Sequence, residues 1–424
     1  MLIATPLRSV RLPMAALVVL ALATALLGVP PVEANGPPEA VRFATFNASL
    51  NRGSAGQALA DLSAPGNAQA AAVAEIIQRT RPEVLLINEF DYEPNNALAT
   101  AFQDHYLDVG QNGADPIDYP YVFVAPSNTG VPSGFDLNND GAIGGPDDAF
   151  GFGFFEGQFG MAVFSMHPID HDAIRTFQGF LWADMPGALL PDDPSTPEPA
   201  DWYSPEELGA FRLSSKSHWD VPISIGGSTV HFLVSHPTPP VFDGAEDRNG
   251  TRNHDEIRFW ADYVTPGAGG YIYDDAGGTG GLAPGSKFVI AGDQNSDPLD
   301  GDSIPGSIQQ LTEHPLVNTK TTPSSAGAVE ATALQGGANL THRSDPAFDT
   351  ADFSDTAPGN LRADYVLPRR NLQIADAGVF WPVQADPLFA LTGVFNSALW
   401  GPVGGFPTSD HRLVWVDVAV PSVK

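Results

Sequence analysis

Residues Lys287 to Pro298 read KFVIAGDQNSDP, an apolar run that breaks into a turn carrying an acid and two amides. Phe288, Val289, Ile290 and Ala291 have the pattern of a strand buried on both faces, and Gly292 ends it where the backbone has to bend sharply. Asp293 and Asn295 then emerge at the carboxyl end of that strand. A sheet-based enzyme keeps its chemistry there, because rigid strands hold loop side chains in fixed register above the core. Taken alone, a polar turn closing a hairpin would read the same way. What separates the two readings is that four other strand ends in the chain repeat the design.

Towards the amino terminus, VRFATF (Val41 to Phe46) is a strand that delivers Asn47 and, a few residues on, Arg52. Ala72, Val73, Ile76 and Ile77 have helical spacing within Gln69 to Arg81, and Pro82 stops that helix. Val84 to Ile87 is a second buried strand, ending at Asn88 and Glu89. Strand, helix, strand in this order predicts that Asn47 and Glu89 are neighbours at one sheet edge. Ala97 to Phe102 is expected to be helical, and Tyr119 to Pro126 and Gln158 to Met166 to be strands. Gly226-Gly227 is a two-residue hairpin signal between Trp219 to Ile225 and Val230 to Ser235, and the second of these strands delivers His236. Asn253 to Tyr263 is expected to pack as a helix on the sheet.

Towards the carboxyl terminus, Ser307 to Leu311 is a short helical candidate, Arg362 to Leu367 is a strand carrying Asp364, and Asp410 and His411 precede a last strand, Leu413 to Val418. Trp182 to Phe211 reads as a long ordered loop, Pro266 to Gly285 as an exposed Gly-rich loop, and Thr319 to Ala338 as a mobile stretch. With no internal repeat, residues 35–424 are expected to form a single domain with insertions at about 127–155, 182–211 and 319–353.

The first insertion contains DLNNDGAIGGPDD, Asp136 to Asp148. Oxygen side chains at Asp136, Asn138 and Asp140, Gly at the sixth position, the Ala142 carbonyl and an acid at Asp147 match an EF-hand calcium loop. The flanks are rich in Gly and Pro, so the expectation is one calcium-stapled loop rather than a helix pair.

Composition narrows the class. The 424 residues are 43% hydrophobic and 10% aromatic, enough for a substantial core, and the chain carries no cysteine. Stability must come from burial or bound ions rather than disulfides. A net charge of −30, with few basic residues and none clustered, weighs against a basic nucleic-acid or lipid patch and favours divalent cations. Arg8 and Arg11 precede an uncharged stretch from Met14 to Val29, followed by small residues at Val32-Glu33-Ala34. This predicts a signal peptide over 1–34, no stable membrane insertion, and a secreted, monomeric mature protein with no protein partner.

Gathered together, Asn47, Glu89 and Asp410 are hard oxygen donors suited to magnesium, manganese or calcium rather than zinc. Asp293 beside amides can orient a water, and His236 and His411 can serve as acid and as cationic stabiliser. Water held opposite a divalent cation, with imidazolium to absorb developing charge, is the requirement of in-line attack on phosphorus. The expected chemistry is phosphoester hydrolysis.

FATFN, LLINEF, VSHPTPP, AGDQN, RADYVL and TSDHR, in this order, resemble the successive motifs of the endonuclease/exonuclease/phosphatase family from about Val41 to Val418. The resemblance implies an α+β fold of the deoxyribonuclease I type, a four-layered α/β/β/α sandwich with two mixed sheets. It implies that Asn47 and Glu89 bind the metal, with Asp410 a second ligand or its support. Asp293 would position or deprotonate the water, His411 would contact the phosphate, Asp364 would orient His411, and His236 would be the second histidine. Asn295 and Arg52 are the expected substrate-binding residues. Two departures stand out: Asn88 replaces the usual Gln before the metal-binding Glu, and GDQN replaces the commoner GDFN. The substrate is a small phosphoester or nucleic acid. Alternatives are a secreted nuclease, a phospholipid head-group hydrolase, or a calcium-dependent binding protein on an inactivated scaffold.

Overall fold

The computed structural model describes residues 39–400 and 405–421, so the expected signal peptide lies outside the described residues. Among the described residues, eleven strands form two sheets. The strands are β1 (Glu39–Asn47), β2 (Val84–Asn88), β3 (Tyr121–Phe123), β4 (Met161–Ser165), β5 (Arg175–Thr176), β6 (His218–Ile225), β7 (Ser228–Ser235), β8 (Lys287–Asp293), β9 (Asp364–Pro368), β10 (Gln373–Val379) and β11 (Val414–Val420). One sheet has six strands in the order β10-β11-β1-β2-β4-β3, and the other has five in the order β5-β6-β7-β8-β9. Each sheet is mixed: β1 and β2 run parallel, as do β7 and β8, and the other pairs run antiparallel.

The alternation of side chains along the strands sorts the apolar residues into layers. Val41, Phe43, Val84 and Leu86 of one sheet meet Val221, Phe232, Val234 and Val289 of the other to form the central core. The rings of Phe43 and Phe232 touch across it with centroids 5.6 Å apart. On the far side of the six-stranded sheet, Ala44, Phe46, Leu85 and Ile87 receive the helices α1 (Gln57–Leu62), α2 (Ala68–Thr80) and α3 (Ala97–Phe102). On the far side of the five-stranded sheet, Leu233, Phe288 and Ile290 receive the residues that follow β5 and the later helices. The result is the expected four-layered α/β/β/α sandwich.

Local signals account for several element ends. Asn67 caps α2 by accepting from Ala70 N at 3.0 Å, and Arg81, in left-handed backbone ahead of Pro82, ends it. Gly226 and Gly227 take positive φ of 54° and 77° and close the β6–β7 hairpin with the twist a two-residue turn needs. Gly292 has φ 146°, and a Cβ there would lie 2.0 Å from Ser235 O, so only glycine lets β8 approach β7.

Two expected helices are present with other bounds, and the loop expectations need correction. The insertion at 182–211 holds a short helix α4 (Pro205–Leu208), and Trp182, Tyr203 and Phe211 pack into the outer core. The helix expected over Asn253 to Tyr263 is α5 (Arg248–Val264), whose Ile257, Phe259 and Trp260 are fully buried. The next helix, α6 (Gln309–Thr312), is one turn long. Within the stretch expected to be mobile lies α7 (Ala326–Gln335), capped by Ser325 and packed through Ala328 on the central core. Ile272 and Leu282 of the Gly-rich loop are buried as well. In each case apolar side chains scattered among Gly, Pro and acid find a surface that only the folded sheets provide. Among the described residues, no helix is long and apolar enough to cross a membrane.

Candidate active site

Strand register brings the expected residues to one end of the sandwich. Asn47 and Asn88 are partners across the parallel pair β1/β2, so Glu89 follows at the same edge as Asn47. Asp293 is opposite Asp364 across β8/β9. Because β9 runs antiparallel, Asp364 reaches this edge from the beginning of its strand. Val234 pairs with Ala291 in the parallel β7/β8 ladder, so His236 arrives beside Asp293. The two sheets face each other, and their catalytic edges meet.

Asp293 Oδ2 is the meeting point. Asn47 Nδ2 donates to it at 3.1 Å, His236 Nε2 lies at 3.3 Å and His411 Nε2 at 3.6 Å. Its other oxygen accepts Asn295 N at 2.9 Å. His411 Nδ1 is 2.9 Å from Asp364 Oδ2, which also accepts Thr350 Oγ1 at 2.8 Å. Glu89 is held by amides, Asn47 Nδ2 at 3.1 Å on one oxygen and Asn51 Nδ2 at 2.8 Å on the other. Glu89 and Asn295 both take left-handed φ, 56° and 50°, a backbone strain of order 1–3 kcal/mol that recurs at sites where a side chain must be re-aimed.

These contacts set the charges. Burial works to raise the Asp293 pKa, but His411, then His236, and the Asn47 amide outweigh it and hold the carboxyl below the usual carboxylate range. Burial alone would lower His411, yet Asp364 and Asp293 on its two sides raise it well above the ordinary histidine value, so the ring is an imidazolium at neutral pH. Burial, with Asp293 beside it, raises Asp364 to about 6 even though the His411 charge pulls it down. His236 is lowered by burial and by Lys216, so it is neutral, and its buried Nδ1 has no partner among the described residues. The two histidines therefore play different electrostatic parts.

Residue types present fit a divalent cation. Among the described residues Glu89 makes no ion pair, and with Asp293, Asp364 and Asp410 nearby the edge carries a surplus of carboxylates over Lys216 and His411. Amide and carboxylate oxygens are hard donors, which suit Mg²⁺, Mn²⁺ or Ca²⁺. Asp410 is half-buried and accepts Ser409 Oγ at 3.4 Å, and Ser409 Oγ in turn meets Ser49 Oγ at 3.2 Å on the Asn47 loop. Asp293, Asp364 and His411 also place one ligand atom each within 4.8 Å of one another. The His411–Asp364 hydrogen bond already pairs one ring nitrogen and one carboxylate oxygen of that group.

Arg52 departs from expectation. Its guanidinium is engaged by Asp61 Oδ2 at 2.8 Å and by Asn51 O at 2.8 Å, so it braces the loop instead of facing Asp293. Beside the His411 charge lies Lys216, 8% exposed, whose Nζ donates to Pro237 O at 3.3 Å. Burial lowers its pKa against the pull of Glu256, Asp293 and Glu89. Its signal in the sequence is a lysine inside SSKSH, immediately ahead of a buried strand, where a charge has no reason to be unless something holds it. Asn253 is a second residue the sequence does not announce. It donates from α5 to Thr238 O at 2.8 Å and to Gln294 O at 2.9 Å, pinning the loops that carry His236 and Asp293.

The acidic loop closes one residue later than its motif predicts. Asp136 accepts Asp140 N at 3.0 Å and Gly141 N at 2.8 Å, and Asp140 accepts Ala142 N at 2.9 Å, while Asn138 lies between them. Asp148, not Asp147, is buried and accepts Leu137 N and Gly144 N at 2.8 and 2.7 Å. Asp147 is exposed, because Gly144 and Gly145 carry the chain through positive φ and rotate its side chain outward.

Solved structures with a similar course include an endonuclease/exonuclease/phosphatase from Beutenbergia cavernae DSM 12333, at 15% identity and TM-score 0.46, covering 90% of this chain and 72% of that one. Sphingomyelinase C from Streptomyces griseocarneus matches at 15% identity and TM-score 0.44, covering 89% and 99%. A mannosyl-6-phosphatase from Bacteroides thetaiotaomicron VPI-5482 matches at 11% identity and TM-score 0.41, covering 89% and 99%. No curated protein matches the chain. The family model described as "Endonuclease/Exonuclease/phosphatase family" matches residues 44–411, from the strand that delivers Asn47 to His411 itself. The chain therefore belongs to the endonuclease/exonuclease/phosphatase family of metal-dependent phosphoester hydrolases.

Proposed function

We propose that the chain is an exported hydrolase of small phosphoesters, diesters or monoesters, acting by in-line attack of water. The observation that supports it is the convergence on Asp293 Oδ2 of one amide and two histidines that differ in charge. Asp293 orients the water, and neutral His236 donates from Nε2 to steady that carboxylate. Held low, Asp293 is a weak base until the His411 charge turns towards the phosphoryl oxygens, after which it accepts the water proton more readily. Asp364 keeps His411 protonated for that contact. Asn295, its amide steadied on Pro237 O at 3.1 Å, and Lys216 bind the remaining phosphoryl oxygens. Asn47, Glu89 and Asp410 would hold a divalent cation, which would supply Lewis-acid neutralisation of the negative charge on the phosphoryl and leaving oxygens. In the acidic loop, Asp136, Asn138, Asp140, the Ala142 carbonyl and Asp148 are the proposed Ca²⁺ ligands.

A net charge of −30 favours small substrates over long polyanions. The test is a panel of bis-p-nitrophenyl phosphate, p-nitrophenyl phosphate, plasmid DNA and sphingomyelin, each with Mg²⁺, Mn²⁺, Ca²⁺ or chelator, alongside Asp293→Ala and His411→Ala. Turnover of the small esters with metal, lost in chelator and in both variants, is expected. Protein equally inert on every substrate with and without metal would refute the reading.

A further inference from the structure

Phe152 and Phe154 stand out from the loop between Gly151 and Gln158, 48% and 67% exposed, with ring centroids 5.5 Å apart at 80°. Large apolar rings left in water cost burial energy, so their exposure calls for a reason. The loop beneath them is firmly held. Gly130 N donates to Gly151 O at 2.9 Å, Gly151 N to Asn128 O at 3.0 Å, Gly157 N to Thr129 O at 3.0 Å and Phe154 N to Gln158 Oε1 at 2.8 Å. At Gly151 a Cβ would lie 1.6 Å from Ser215 O, and at Gly153 2.7 Å from Gly130 N. Two aromatic rings are thus presented at a set place by backbone that cannot shift without breaking these contacts.

That place borders the catalytic edge on two sides. Gly151 rests on Ser215, the neighbour of Lys216. At the other end of the loop, Gln158 Nε2 donates to Arg52 O at 2.8 Å, one residue from the Asn51 that holds Glu89. Phe159 N donates to Asp91 Oδ1 at 3.1 Å, and Phe90 N to Gly160 O at 3.0 Å. The loop therefore spans from the backbone beside Lys216 to the loop that holds Glu89.

We propose that Phe152 and Phe154 form a stacking platform for a planar aromatic group borne by the substrate phosphate, which makes the preferred substrates small phosphodiesters carrying an aromatic ring. The proposal rests on the phosphoester-hydrolase reading above and deepens it. An aromatic ring stacks on a π-face without a matching hydrogen-bond pattern, and two rings at 80° to each other can offer one planar guest a face from one ring and an edge from the other. Charge weighs against partners with many negative charges more than against a small ester carrying one: exposed Glu156 lies in the same loop, Asp91 lies at its foot, and the whole chain is strongly acidic, which repels long polyanions and anionic lipid surfaces.

The test uses diesters that share a p-nitrophenolate leaving group and differ in the second ester, which is methyl, cyclohexyl or 1-naphthyl. Wild type is expected to prefer naphthyl to methyl by about tenfold or more in kcat/KM, with cyclohexyl well below naphthyl. In the Phe152→Ala/Phe154→Ala double variant the naphthyl-to-methyl ratio should collapse, and Phe154→Tyr should restore most of it. A ratio unchanged in the double variant, or cyclohexyl equal to naphthyl, overturns the platform. Binding of 1-naphthyl phosphate, followed by its fluorescence, needs no turnover: equal binding by wild type and double variant overturns the platform even if the hydrolase reading itself fails. Binding of phosphatidylcholine vesicles that is lost in the double variant, with the ester ratio unchanged, would assign the rings to a lipid surface instead.

Discussion

His411 Nδ1 lies 2.9 Å from Asp364 Oδ2 while its Nε2 faces Asp293 at 3.6 Å, so one imidazolium is held between two carboxylates that push its pKa up. Replacing Asp364 with Asn removes one charge and leaves the shape. Because the folded pKa is raised, the protonated ring is present at neutral pH and is lost as pH rises through that folded value. In Asp364→Asn the alkaline limb of the kcat profile should move to lower pH, and kcat at neutral pH should fall by about 10²–10⁴-fold with little change in KM. An unshifted limb would separate Asp364 from the charge of His411.

Asn51 Nδ2 donates to Glu89 Oε2 at 2.8 Å, and among the described residues its side chain makes no other hydrogen bond. Orienting partners of metal ligands are worth about 10–100-fold in metal affinity. Asn51→Ala is expected to raise the metal concentration needed for half-maximal activity by that factor while saturating metal restores most of kcat. Calorimetric titration of the metal provides the independent check.

His218 is fully buried between Ser214 and the Glu256 carbonyl, and burial lowers its pKa to about 4. The unfolded chain binds this proton below its ordinary histidine value, whereas the folded chain refuses it until about pH 4. Stability contributed by the neutral ring is therefore present above the unfolded pKa and lost as pH falls through that window, by about 3 kcal/mol over its full width. Denaturant unfolding at pH 7 and pH 4.5 should show the loss in wild type, and the same drop should be largely absent in His218→Gln.

Asp148 accepts two main-chain N–H groups from inside the acidic loop while Asp147 points outward. Melting temperatures of Asp136→Ala and Asp148→Ala should fall further below wild type in Ca²⁺ than in chelator, and Asp147→Ala should follow wild type in both. A loop that binds no calcium would give the same differences in both buffers.

Gly292 admits no side chain, since its φ is 146° and a Cβ would meet Ser235 O at 2.0 Å. Gly292→Ala should push β8 from β7, displacing Asp293 from His236. Activity is expected to fall by more than the accompanying loss in melting temperature explains, and normal activity in a folded variant would show that the strand pair tolerates the shift.

Much of this protein is written locally. Apolar runs that end in Asn47, Glu89, His236 and Asp293 state both strand and site at once, because a residue just past a buried strand has its place set by the strand. The hairpin at Gly226-Gly227 and the cap at Asn67 are equally local, since turn and cap geometry depend on a few adjacent residues. Tertiary structure alone decided the rest. QIADAGV becomes β10 only because β11 offers it an edge, Arg52 pairs with Asp61, and Lys216 is buried with its Nζ on Pro237 O. Each of these depends on which distant group lies opposite, and the neighbouring residues do not say which partner chain folding will bring in.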